Sequence, residues 1–201
     1  VTALETPRGV SRRTVAAGIA WSAPFLVAGS AAQAATCSVT DRNYYSTDLK
    51  ITSTTTTNGT NGHTVGTFTL QICNNGTLPI PAGTSYTIVL TALKAPGNTS
   101  GDKDIVITPA PPAGYVLDPA TGTTLNPTGT NTSVTYTATT TTPIAPNSCT
   151  NVVFNIDTAT GIGATKLQMD ATLKQWGGGT CSYSAPGSQD SLTGLWGKDA
   201  T

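Results

Sequence analysis

Apolar and polar residues alternate along much of this chain with a period of two. In Thr64 to Cys73, Phe68, Leu70 and Ile72 fall on one side and Thr67, Thr69 and Gln71 on the other. Alternation of this kind marks a strand with one buried face. The same pattern recurs in Thr84 to Leu93 (Tyr86, Ile88, Leu90, Ala92), Ser133 to Thr139 (Val134, Tyr136, Ala138), Thr150 to Ile156 (Val152, Phe154, Ile156) and Thr165 to Gln175 (Leu167, Met169, Ala171, Leu173). Shorter strands are predicted at Leu49 to Thr52, at Asp104 to Thr108 ending at Pro109, and at an edge over Tyr115 to Leu117. Polar or Pro/Gly-rich loops are expected at Asn58 to His63, Lys94 to Asp102 and Pro109 to Gly129, the last as an insertion. About seven to nine short strands separated by turns predict an all-β, two-sheet sandwich, with a closed barrel as the alternative.

Residues 11–35 break the pattern. Arg8, Arg12 and Arg13 precede an uncharged run from Val15 to Ala28, and Ala32-Gln33-Ala34 offers small residues at the spacing a signal peptidase accepts. The run is too short, and too interrupted by Pro24, to span a bilayer. It predicts a signal-peptide helix over residues 1–34, cut between Ala34 and Ala35. Ser11-Arg12-Arg13-Thr14-Val15 resembles a twin-arginine signal, although Ala16 and Ala17 stand where that family often has Leu and Lys, so the general secretory route stays open. The stretch from Arg12 to Pro24 also resembles the leaders of actinobacterial exported proteins. The sandwich is then expected over residues 35–176. Residues 177–201 read as a Gly/Ser-rich tail, docked in part by Tyr183, Leu192, Leu195 and Trp196.

Composition narrows the function. After Ala34 the chain has Arg42 and six lysines against nine aspartates, and no glutamate. No basic run exists, so nucleic-acid binding has no electrostatic footprint. No long apolar run follows the signal, so no membrane anchor is expected in the mature chain. Threonine is abundant, which suits pleated strands. Cys37, Cys73, Cys149 and Cys181 make an even set in an exported chain and predict two disulfides. The favoured pairing is Cys37 with Cys181 and Cys73 with Cys149, among three connectivities.

The segment Phe68 to Gly83, with its Asn74-Asn75-Gly76 turn and its Pro81-Ala82-Gly83 lead into the next strand, resembles bacterial surface immunoglobulin-like repeats. Ile144 to Phe154 resembles a later segment of the same folds, where a Pro-led turn feeds an apolar strand. The resemblance implies an immunoglobulin-like sandwich and a structural or adhesive role at the cell envelope or outside the cell. It brings no active site.

Candidate chemistry is thin. His63 stands in a turn with no accompanying Gly-x-Ser-x-Gly elbow. Asp102-Lys103-Asp104 is poor in carboxylates for a calcium loop, and the absence of glutamate weighs against a glycosidase. No catalytic residue, cofactor or metal ligand is assigned. The Thr runs 54–57 and 139–142 are candidate O-glycosylation positions or solvated strand ends. Tyr44, Tyr45 and Trp176 are candidates for stacking on sugar rings, as in carbohydrate-binding modules. The alternative is that Trp176 and Trp196 fill the core or cover a sheet edge. The expected partner is therefore a cell-wall or extracellular glycan or protein.

Overall fold

The computed structural model describes residues 42–58, 63–94, 103–158, 166–179 and 181–197. The predicted signal peptide, its Ala34/Ala35 cut and Cys37 lie outside the described residues. Twelve strands occur in chain order: β1 (Asn43–Tyr45), β2 (Thr47–Asn58), β3 (His63–Asn74), β4 (Ser85–Leu93), β5 (Ile105–Ala110), β6 (Tyr115–Asp118), β7 (Thr123–Leu125), β8 (Ser133–Thr140), β9 (Cys149–Thr158), β10 (Lys166–Gln175), β11 (Ser182–Ser184) and β12 (Ser191–Trp196).

Ten of them build two antiparallel five-stranded sheets, with orders β2-β3-β9-β5-β7 and β12-β10-β4-β8-β6. The sequence predicted seven to nine strands. The first four strands of one sheet and the first three of the other reproduce the A-B-E-D and G-F-C orders of an immunoglobulin sandwich. Strands β6, β7 and β8 fall between the D-like and E-like strands, and each extends a sheet edge or the row beside it.

The core is the sum of the inward-facing alternate residues. On β3, Phe68, Leu70 and Ile72 are fully buried, and on β9 so are Val152 and Phe154. They meet Ile88 and Leu90 of β4, Met169 of β10 and Tyr136 of β8. The rings of Tyr136 and Phe154 lie 5.1 Å apart and tilted. Each such large side chain contributes roughly 1.5–3 kcal/mol by leaving water.

Three expectations are corrected. The Pro-rich middle is not simply an inserted loop, because it supplies β6 and β7. Strand β5 does not stop at Pro109 but runs to Ala110. Pro109 is tolerated there because β7 pairs only with Ile105 to Ile107, which leaves β5 an edge at the proline. The segment after Gly177 is more than a partly docked tail: β12 is an integral edge strand, paired with β10 from Leu167↔Trp196 to Thr172↔Ser191.

The turn between β3 and β4 is fixed by one fully buried side chain. The Asn74 amide donates to the carbonyls of Leu78 and Ile144, both at 2.9 Å, and its oxygen accepts from Gly76 N–H at 2.9 Å. Gly83, at φ 82°, makes the left-handed step that lets Pro81-Ala82-Gly83 turn into β4.

The disulfide Cys73–Cys149 joins directly opposed residues of β3 and β9, with Cα atoms 4.0 Å apart. Cys73 shares the outward parity of Thr67, Thr69 and Gln71. The bond therefore staples two neighbours within one sheet, on its outer face, instead of tying the two sheets through the core. Cys181 is also disulfide-bonded.

Candidate binding surface

Burying one face of each sheet leaves the other to the threonines. On β2 the outward positions are Lys50, Thr52, Thr54 and Thr56, and the adjacent row on β3 runs Gln71, Thr69, Thr67. Thr54 and Thr67 bring their hydroxyls to 2.8 Å, and Thr54 Oγ1 also accepts from Thr67 N–H at 3.1 Å. Next to them Gln71 Nε2 donates to Asn151 Oδ1 at 3.2 Å. The second sheet repeats the theme in a row across four strands, Ser191, Thr172, Thr87 and Thr137. Beside that row Asp170 accepts from Thr193 Oγ1 at 2.6 Å and from Gln168 Nε2 at 2.7 Å. Cross-strand pairs of this kind each contribute about 0.2–1 kcal/mol and fix the register. Beside the exposed ammonium of Lys50, these rows present mainly hydroxyls and amides, and the carboxylate of Asp170 is engaged by Thr193 and Gln168.

The three aromatics singled out for stacking do not share a surface. Strand β1 pairs in parallel with β11, in the register Asn43↔Ser182, Tyr44↔Tyr183 and Tyr45↔Ser184. Successive side chains on a strand point to opposite faces, so Tyr44 and Tyr45 part company. Tyr45 turns inward and stacks on Trp176 at 5.2 Å, and both are buried. Trp176 donates its indole N–H to Ser184 Oγ at 3.1 Å. Tyr45 and Trp176 are therefore core residues here, which corrects the stacking set and matches the alternative reading of the tryptophans. Tyr44 turns outward, 47% exposed, and its neighbour is Tyr183, 38% exposed, with ring centroids 6.0 Å apart and planes 37° apart. Sequence reasoning placed Tyr183 only as a docking residue. The Ser182-Tyr183-Ser184 alternation was the available signal that its ring points to the face opposite the two serines.

His63 opens β3 opposite Asn58, and Asp102 lies outside the described residues. Among the described residues, no group of three or more His, Cys, Asp or Glu is placed to hold a metal ion, and no helix is long and apolar enough to cross a membrane. Inside the sandwich, the hydroxyls of Tyr86, Tyr115 and Tyr136 have no hydrogen-bond partner among the described residues. Burial raises all three phenols above their ordinary value, Tyr86 and Tyr115 far above it. For Tyr86 the neighbouring Tyr115 and the carboxylate of Asp190 push the same way. They stay neutral, and at neutral pH they are poor bases.

No family model matches the chain, and no curated protein matches it. Among solved structures it is similar to a chain described as "AvmM Catalyzes Macrocyclization in Alchivemycin A Biosynthesis". That similarity is 8% identity and a TM-score of 0.27, over 75% of this chain and 90% of that one, and it carries no argument about function.

Proposed function

We propose that this is an exported, non-catalytic bacterial protein that acts by its surface, as a structural or adhesive module of the cell envelope or extracellular space. The observation that carries the reading is the pair of threonine-covered outer sheet faces on a sandwich whose buried polar side chains, among the described residues, are all neutral: hydroxyls and the amide of Asn74. Such faces offer many weak, neutral hydrogen-bonding groups and no acid/base pair for chemistry. Two facts support the exported setting. The surface disulfide Cys73–Cys149 suits an oxidising compartment. The arginine-led, small-residue-ended segment before Ala35 reads as an export signal, with the twin-arginine route preferred to the general one.

The test is intact mass of the chain, produced in a bacterium with both export routes and recovered from medium, wall and cytoplasm, before and after reduction. The expected species begins at Ala35, is recovered outside the cytoplasm, and gains the mass of four hydrogens on reduction. Added hexose masses would place sugars on the chain, with Thr54 to Thr57 the first positions to map. A cytoplasmic chain that keeps residues 1–34 and has free thiols overturns the proposal.

A further inference from the structure

We infer that the outward face of the β1–β11 ribbon is a stacking site for a neutral glycan, with Tyr44 and Tyr183 as its two binding rings; the inference rests on the adhesive reading above. Three observations lead there. The first is exposure. Two large rings stand side by side on the outer face of a ribbon whose other face carries the buried Tyr45 and the half-buried Ser182 and Ser184. The parallel register puts them directly opposite each other, so their pairing is built into the backbone.

The second is rigidity. Tyr45 behind Tyr44 packs on Trp176. Ser184 accepts from the Trp176 indole, and Ser182 Oγ donates to the Gly177 carbonyl at 3.0 Å. At the ribbon's ends, Asn43 N–H donates to the Cys181 carbonyl at 2.9 Å, and Ala185 N–H donates to the Tyr45 carbonyl at 2.7 Å. Anchoring on one face presents the other without an ordering cost at binding.

The third is chemistry. The ribbon residues are Asn, Tyr and Ser alone, so the ribbon itself offers neither an anionic nor a cationic partner any attraction. A pyranose matches what remains. Its apolar C–H face covers an aromatic ring, and its hydroxyls find phenol groups at the rim. Tyrosine serves both needs, being flat, amphipathic and cheap to order. A polyproline segment is the rival occupant, but it uses aromatic-lined grooves several residues long, and this ribbon is three residues long on each strand.

The experiment uses the purified chain against immobilised linear oligosaccharides of glucose, mannose, galactose and N-acetylglucosamine, their uronic-acid counterparts, and a proline-rich decapeptide. Variants are Tyr44→Ala, Tyr183→Ala, Tyr44→Phe and, as a surface control on β6, Val116→Ala. Thermal unfolding checks that each folds. The expected result is binding to at least one neutral glycan that weakens about ten-fold or more in either alanine variant, persists in Tyr44→Phe, and is unchanged in Val116→Ala. Binding that survives both alanine substitutions overturns the inference. So does preference for the uronic acids or the peptide, or no binding to any neutral glycan. Retention of the chain on isolated cell walls in the double alanine variant would overturn this site while leaving the envelope reading intact. A chain retained in the cytoplasm in the mass experiment would overturn that reading instead.

Discussion

The indole N–H of Trp196 donates to the backbone carbonyl of Thr54 at 2.8 Å. The two residues belong to edge strands of different sheets, β12 and β2, so this bond closes the side of the sandwich where those edges meet. The surroundings are fitted to it. A Cβ at Gly66 would collide with the Thr54 carbonyl and touch Trp196 Nε1, and one at Gly194 would come within 2.5 Å of Ile51 Cγ2.

Trp196 is fully buried, so Trp196→Ala should cost about 3–5 kcal/mol, from lost transfer energy and a cavity. Trp196→Phe should cost less, since it keeps part of the ring but leaves the Thr54 carbonyl without this donor. Gly66→Ala should destabilise comparably to Trp196→Phe by pushing the two edges apart. Urea unfolding of the three variants is the check. A neutral Gly66→Ala would show that the edges separate freely.

Asn74 makes a second concentrated prediction. Its side chain satisfies two carbonyls and one N–H from three places in the chain. Asn74→Asp removes both donors and puts a carboxylate against two carbonyls, so it should destabilise at neutral pH by about 3 kcal/mol or more. Asn74→Ala should fall somewhat below that. The difference between the two should shrink as the pH is lowered and the aspartate protonates, measured as unfolding midpoints between neutral and acid pH.

The Cys73–Cys149 bond closes a sequence separation of 76 residues. In the chain-entropy model, removing it costs about 4 kcal/mol, almost all by freeing the unfolded chain. Because the bond lies on the outer face between strands that are already paired, the double serine variant should keep its native near-UV circular dichroism while its denaturation midpoint falls. A variant that loses native packing instead would mean that the bond holds the sheet together.

What the sequence made legible follows from one-sided burial. Phe68, Leu70 and Ile72 alternate with Thr67, Thr69 and Gln71 because one face of β3 is core and the other is solvent, and β4, β8, β9 and β10 were readable for the same reason. The pairing of Cys73 with Cys149 was also foreseen. Strand β6 was legible as a short edge at Tyr115 to Leu117 and runs one residue further, to Asp118, whereas β7 was missed because it has three residues in a Pro- and Gly-rich stretch, too short for a period to appear. In β12 the inward row is Leu192, Gly194 and Trp196, and the glycine that makes room for Ile51 breaks the apolar pattern. The binding surface was half legible. An adjacent Tyr-Tyr pair must split between two faces, but which ring goes inward depends on Trp176, and the outward partner comes from a strand 139 positions further along.

The three buried tyrosines set the behaviour at high pH. Burial, first of all, raises the folded pKa of Tyr86, Tyr115 and Tyr136 above the ordinary 10.0. An acid whose folded pKa is raised keeps its proton in the native state when the unfolded chain has lost it. The corresponding stability is fully present below pH 10 and is lost as pH rises beyond it, by about 1.4 kcal/mol per pH unit for each group. Tyr86 and Tyr115 together bring the slope to about 3 kcal/mol per unit, and Tyr136 adds in the same direction, so the sandwich should unfold steeply between pH 10 and 12. Tyrosinate absorbance from these rings should appear together with loss of the fold. Tyr136→Phe should make the slope shallower. It should also leave neutral-pH stability unchanged or raise it by about 1 kcal/mol, because the hydroxyl it removes has no partner to lose. Urea midpoints of both proteins across pH 7 to 12 decide the matter. A flat profile would mean that the phenols ionise without unfolding the sandwich, and a Tyr136→Phe variant much weaker at neutral pH would mean that its hydroxyl is satisfied by a water held between the sheets.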